Sequence, residues 1–293
     1  MRRLAFLTAL ALIVPATAHA DRYDFRLYQL GAPSSDPAAN KRFSAFMQEL
    51  GVAITNWNLE PPETTGFAGF NFAFEYPVSL VNDSGTLNGI RYWPIDPAYT
   101  GTGALQMPGV HVRKGLPFSL ELGVKANYIE GSNMVATTIE AKWALNEGFL
   151  YFPDLGARGW GTQLIGAREF TLTVAGFDLG LGKQIPINGM CTITPYVGWA
   201  SVWVAASSNV VDFSPGQSET DQFHAPNNAS GTATQDVFNS VDIGTNRHNR
   251  FYGGIRFIGY VLELGIEGSW AQVNTDVTSY TVATYSAKVG LDF

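Results

Sequence analysis

From Phe70 the chain alternates. Phe70, Phe72, Phe74 and Tyr76 are aromatic, whereas Asn71, Ala73 and Glu75 between them are polar or small. A period of two marks an extended strand with two unlike faces. The pattern returns further on. Phe118, Leu120, Leu122, Val124, Ala126 and Tyr128 stand against Ser119, Glu121, Gly123, Lys125 and Asn127. Ile139, Ala141, Trp143 and Leu145 stand against Thr138, Glu140 and Lys142. Phe251, Gly253, Ile255 and Phe257 oppose Arg250, Tyr252 and Arg256, and Leu262, Leu264 and Ile266 oppose Glu263, Gly265 and Glu267.

Repeated strands with one greasy and one charged face suit a wall between lipid and a polar lumen. Past the first residues no run approaches the ~20 apolar residues that a membrane helix needs, although 46% of the chain is hydrophobic. Strands can cross a bilayer only as a closed barrel, because lipid offers no partner to an unpaired edge. The 13% aromatic residues, 31 glycines and only 15% charged residues fit that class. We therefore expect an all-β, transmembrane, antiparallel up-and-down barrel. Its strands fall at roughly 66–81, 104–113, 117–129, 134–146, 154–166, 168–184, 190–207, 248–258, 260–272 and 279–293. Counts of eight or twelve are the alternatives to about ten. Around Gly176, Phe170, Leu172 and Val174 give way to Phe177, Leu179 and Leu181, which predicts a bulge. A secreted β-sandwich alternates too, but would bury the apolar face and expose the charged one.

The ends of the chain point the same way. Arg2 and Arg3 precede an apolar stretch from Leu4 to Val14, then Pro15 and Ala18-His19-Ala20. This reads as a secretory signal cleaved after Ala20, with no nearby cysteine for a lipid anchor. Short turns belong on the periplasmic side of such barrels and long loops outside. Ten strands put both long connections, about 82–103 and 208–247, on the outer side and both termini in the periplasm. Outer-membrane lipid is the expected surrounding.

Between the signal and the strands, Phe43, Phe46, Met47, Leu50 and Ile54 recur at helical steps within 37–55. That predicts one amphipathic helix, ended by Glu60-Pro61-Pro62-Glu63. Residues 21–65 thus form a segment separate from the barrel of 66–293, either periplasmic or plugging the lumen.

The polar faces carry paired charges. A turn at Gly131-Ser132 sets Glu121 opposite Lys142 and brings Glu140 diagonally near Lys125. A hairpin around Gly259 sets Arg256 opposite Glu263, and the last hairpin brings Glu267 near Lys288. These are either a selectivity lining or a ladder that fills a narrow barrel, since an interior near the eight-strand size holds mostly side chains. The functional expectations are a small or plugged passive channel, or a structural and surface-interaction barrel with a closed lumen.

Other classes find less in the sequence. A net charge of −7 argues against nucleic acid. Cys191 is the sole cysteine, which excludes a disulfide within the chain and a multi-thiolate zinc site. No cofactor or metal is called for. The mature chain offers His111, His224 and His248, none in a recognisable motif with a nucleophile. A membrane-embedded hydrolase would rest on His224 with Asp212, Glu219 and Asp221 in the long loop, and no enzyme is expected.

The segment from His111 to Gly123 (HVRKGLPFSLELG) resembles a stretch of uncharacterised outer-membrane β-barrel proteins of myxobacterial, deltaproteobacterial type. Lys142 to Phe149 with Pro153-Asp154-Leu155, and Thr192 to Gly198, share the likeness. The resemblance implies the compartment and brings no catalytic motif or substrate. Tyr285, Ala287, Val289, Leu291 and Phe293 separately resemble the C-terminal signal of outer-membrane proteins, which implies handling by the barrel-assembly machinery.

Overall fold

The structure, a computed structural model, describes residues 23–55, 57–96, 103–149, 151–187, 191–213 and 235–293. The signal segment lies outside them. Ten long strands build the wall: β1 Phe70–Leu80, β2 Gly109–Leu116, β3 Leu120–Tyr128, β4 Val135–Asn146, β5 Asp154–Ile165, β6 Phe170–Gly182, β7 Cys191–Ser208, β8 Arg247–Gly259, β9 Leu262–Asn274 and β10 Ser279–Asp292. Each pairs antiparallel with the next, and β10 returns to β1 with Asn71 opposite Asp292 and Leu80 opposite Ala283. The ring is closed, so every wall strand has neighbours on both sides. Outward positions such as Ile139, Ile266 and Val289 expose their side chains. At the turn end Phe118, Tyr151 and Tyr260 extend this apolar belt into an aromatic girdle.

Two details differ from the sequence reading. Ala104–Gln106 pairs only with Val78–Leu80 at the top of β1, and the wall strand proper starts at Gly109. Pro108 lies between them and has no N–H for a ladder. There is also no bulge at Gly176: β6 runs in unbroken register against both β5 and β7. Phe170, Leu172 and Val174 point inward and are buried, while Phe177, Leu179 and Leu181 point outward. The apolar parity changes because the lumen changes character along the strand. The irregularity of the wall falls instead in β4, between Ala144 and Asn146.

The strand bounds place the connections 117–119, 147–153, 183–190 and 260–261 at the end that carries Phe293. The connections 81–108, 129–134, 166–169, 209–246 and 275–278 lie at the opposite end.

The N-terminal segment starts at that long-loop end. Tyr23 donates its amide to Gly131 O at 2.7 Å, Leu27 to the Glu169 carboxylate at 2.5 Å and Ser34 to Asp236 at 2.7 Å. Helix α1, Ala39–Ala53, then packs Phe43, Phe46, Met47 and Leu50 into the lumen with no exposure. From there 54–65 runs down the barrel, until Thr65 donates to Glu121 at 2.8 Å and Thr64 to Glu147 at 3.0 Å near the turn end. Tyr23 and Phe293 thus lie at opposite ends, so in the described chain the termini do not share the periplasmic side. Of the two places considered for 21–65, the periplasm or the lumen, the described residues of this segment occupy the lumen and thread the ring.

Candidate functional site: a two-layered, self-filled lumen

The upper half of the lumen, toward the long loops, is apolar. Inward Leu172 and Val174 of β6, Val202 and Val204 of β7, Val273 of β9 and Val282 of β10 surround the buried face of α1. The helix comes so close that a Cβ on Gly51 would lie 2.7 Å from Val204 Cγ1. Phe46 meets Phe25, Trp93 and Phe170 edge-on at centroid distances of 4.8 to 6.0 Å, a geometry that adds to plain burial.

Three groups of this cap, outside the spanning strands, have displaced acidities. Burial pushes the Glu49 carboxyl up, although it accepts the Asn82 amide at 2.5 Å and the Tyr92 hydroxyl at 2.9 Å. Tyr92 is pushed up by its own burial and by the Glu49 charge beside it. Asp36 moves the other way, held below the usual carboxylate range by the Arg42 guanidinium and the Ala38 amide.

Below this layer the inward side chains become charged, and the strap 54–65 lies among them. Glu60 is the hub: it takes Arg113 of β2, Arg256 of β8 at 3.2 Å and Lys288 of β10. Glu263 of β9 joins them through Lys288 at 2.8 Å and the Asn71 amide at 2.6 Å. Arg256 also reaches Glu63. On the far wall Lys142 pairs with Glu121 at 2.9 Å. Lys125 holds Glu75 at 3.2 Å and the Trp57 carbonyl at 2.6 Å. His111 sits between two carboxylates, with Nδ1 2.8 Å from Glu75 and Nε2 2.9 Å from Glu140. Arg158 extends that row, 3.0 Å from Glu140 and 2.8 Å from Asp178. Buried charges persist where paired and hydrogen-bonded. Here wall and strap pair their charges, while Nε and Nη1 of Arg113 and Nε of Arg256 lack a hydrogen-bond partner among the described residues.

All eight charges singled out in the sequence, Glu121, Lys125, Glu140, Lys142, Arg256, Glu263, Glu267 and Lys288, are buried inside the ring. Glu121 does oppose Lys142. Glu140 opposes Gly123, which leaves Lys125 its diagonal neighbour as expected, and it also meets His111 and Arg158. The other two expected pairings are corrected. The hairpin turns on Tyr260-Val261 rather than Gly259, so Arg256 opposes Gly265 and approaches Glu263 only diagonally, at 3.9 Å. Glu267 opposes Ser286 and accepts the Leu59 amide at 2.7 Å and the Tyr196 hydroxyl at 3.1 Å, while Lys288 goes to Glu263 and Glu60.

No known protein family and no curated protein matches the chain in sequence. Among solved structures, the transport unit of the autotransporter AIDA-I from Escherichia coli aligns at 10% identity over 87% of this chain and 98% of its own, with a TM-score of 0.36. The outer membrane protein OprG from Pseudomonas aeruginosa aligns at 10% identity over 79% and 99%, TM-score 0.31. The attachment invasion locus protein Ail of Yersinia pestis does so at 10% over 78% and 99%, TM-score 0.28. The closed antiparallel ring itself is set by the strand pairing, and nothing in these comparisons bears on a myxobacterial subtype.

The partners that the sequence reading passed over are Glu60, Glu75, His111, Arg113, Arg158 and Asp178. Five of them sit at the inward parity of their strands, which was the available signal. Glu60 carried none, lying in a proline-rich break. His224, Glu219 and Asp221 fall outside the described residues. His248 is buried at the rim at the start of β8. Tyr285, Val289 and Leu291 point outward on β10, and Phe293 exchanges backbone hydrogen bonds with Phe70 across the closing seam.

Proposed function

We propose that the protein is an outer-membrane barrel sealed by its own N-terminal segment, and that it works through its long-loop face as a surface-interaction protein. The observation that carries this is the strap: Glu60 engages Arg113, Arg256 and Lys288 on three different wall strands at once. A passive channel along the lumen would require the strap to leave, which takes the Glu60 carboxylate from all three cations and leaves them to share Glu263, with Glu121 beside Arg113. The surface reading needs no such rearrangement. It assigns lipid contact to the outward belt, seam recognition by the assembly machinery to β10, and no catalytic step. The full chain reconstituted in planar bilayers is expected to give no steady conductance above the lipid background. Stable ohmic steps from the intact chain would sink the sealed-barrel reading and restore the channel.

A further inference from the structure

At the long-loop end two hollows share a wall. One, of about 400 Å³, lies between α1 (Asn40, Lys41, Ser44), the end of the long loop (Asn239, Ser240) and the 275–278 turn (Asp276). The other, of about 350 Å³, opens on the outer wall over Phe251 and Trp270, beneath Asn249 and Gln272. Arg247, His248 and Asn274 line both, so the two form one cleft that passes over the barrel rim.

The upper part of the cleft is lined by amides and hydroxyls, and its Lys41 and Asp276 face each other at 3.5 Å. Such a lining suits a ligand dense in hydroxyl groups. The lower part offers exposed aromatic faces at the height where the apolar belt ends. Between them stands Arg247, fixed by a 2.7 Å bond from its Nε to the Ser201 hydroxyl and by stacking 5.8 Å above the Trp199 ring. A guanidinium held at a lipid boundary is suited to a phosphate. His248 lines both hollows: it is 4% exposed, its ring meets the Gln272 backbone, and its Nε2 is one of several buried polar atoms with no hydrogen-bond partner among the described residues. Buried polar atoms are normally satisfied.

We propose that this cleft binds the phosphorylated saccharide head of an outer-leaflet glycolipid, with the sugar in the amide-lined hollow, the phosphate at Arg247 and the acyl root against Phe251 and Trp270. The site rests on the placement of the long-loop end outside the cell. It deepens the surface reading by naming a class of ligand.

The test uses the full chain, with ring-15N histidine, in nanodiscs. The His248 resonances are assigned by loss in His248→Gln. Nanodiscs containing O-antigen-free lipopolysaccharide are expected to shift the His248 Nε2 signal, and phosphatidylglycerol nanodiscs are not. Arg247→Ala and Ser44→Trp are each expected to weaken the response roughly tenfold, the scale of one charge-assisted contact or one blocked hollow. Both variants are checked for folding by the heat-dependent gel shift. An unmoved His248 signal with lipopolysaccharide overturns the site. So does an equal shift with phosphatidylglycerol, or with core oligosaccharide free in solution. Surface labelling at Ser34, described below, separates the two failures: a labelled Ser34 with an unmoved His248 removes the glycolipid and leaves the surface placement standing.

Discussion

His111 bridges two carboxylates of the buried charge network. It separates Glu75 from Glu140, both nearly inaccessible to water. Replacing it with Phe removes one hydrogen-bond partner from each carboxylate, with Lys125 still beside Glu75 and Arg158 beside Glu140. Removing one member of a buried set costs about 3–5 kcal/mol. We expect His111→Phe to lose about 3 kcal/mol in urea unfolding from micelles. Lys41→Ala, which breaks only the exposed pair with Asp276, should change less than about 0.5 kcal/mol. Equal losses would mean that the lumen is wet enough to screen its charges. The cap gives a pH dependence of opposite signs. Glu49 has a raised native pKa, so its contribution to stability is present below the unfolded value of ~4.3 and is lost as pH rises through the native one. Asp36 is lowered, so its contribution is present above ~3.9 and is lost as pH falls through the native value. Glu49→Gln should therefore flatten the fall in stability on the alkaline side of pH 4.3, and unchanged pH profiles for wild type and variant would contradict that assignment. The inward parity of Glu121 and Lys142 was legible in the sequence because a single short hairpin joins them. The Glu60 contacts were not, since they join a loop to strands about 50 to 230 positions away, a distance that periodicity does not encode.

Among the elements, β1, β3, β4, β8 and β9 could be read directly, because each keeps one apolar outward face over most of its length. β6 could not. Its inward face is apolar beside α1 and polar beside the strap, so a strand in perfect register looks like one with an extra residue. The helix itself was visible as a stripe of Phe43, Phe46, Met47 and Leu50, but a stripe does not name the surface that covers it. That surface is the upper barrel wall, which makes α1 part of the core rather than a detachable stopper. Phe46→Ala should accordingly cost about 3–5 kcal/mol, the range for emptying a buried aromatic site. It should lower the temperature of the folded-to-unfolded gel shift. Gly51→Val has a different cause, the 2.7 Å approach to Val204, and overpacking there should cost about 1–3 kcal/mol. If both variants melt like the wild type, α1 does not occupy the lumen in the membrane.

For the whole molecule, a closed ring threaded by its own chain puts Tyr23 and Phe293, the first and last described residues, at opposite ends of the barrel. Residues 54–65 in extended form reach up to about 40 Å, more than the ~25 Å apolar band of such a barrel, so the strap is long enough to cross. What holds it across is a set of contacts at both ends: Ser34 with Asp236 above, Thr64 with Glu147 and Thr65 with Glu121 below. An N-terminal segment merely resting at the periplasmic mouth would make the second set and not the first. The two arrangements can be separated with single cysteines in a Cys191→Ala background, since Cys191 is the only native thiol. Ser34→Cys, exposed at the long-loop end, should react with a membrane-impermeant maleimide on intact cells. Tyr151→Cys, 89% exposed at the turn end, should react only after the outer membrane is opened. The reverse pattern would invert the barrel, and labelling of neither site on intact cells would return the N-terminal segment to the periplasm.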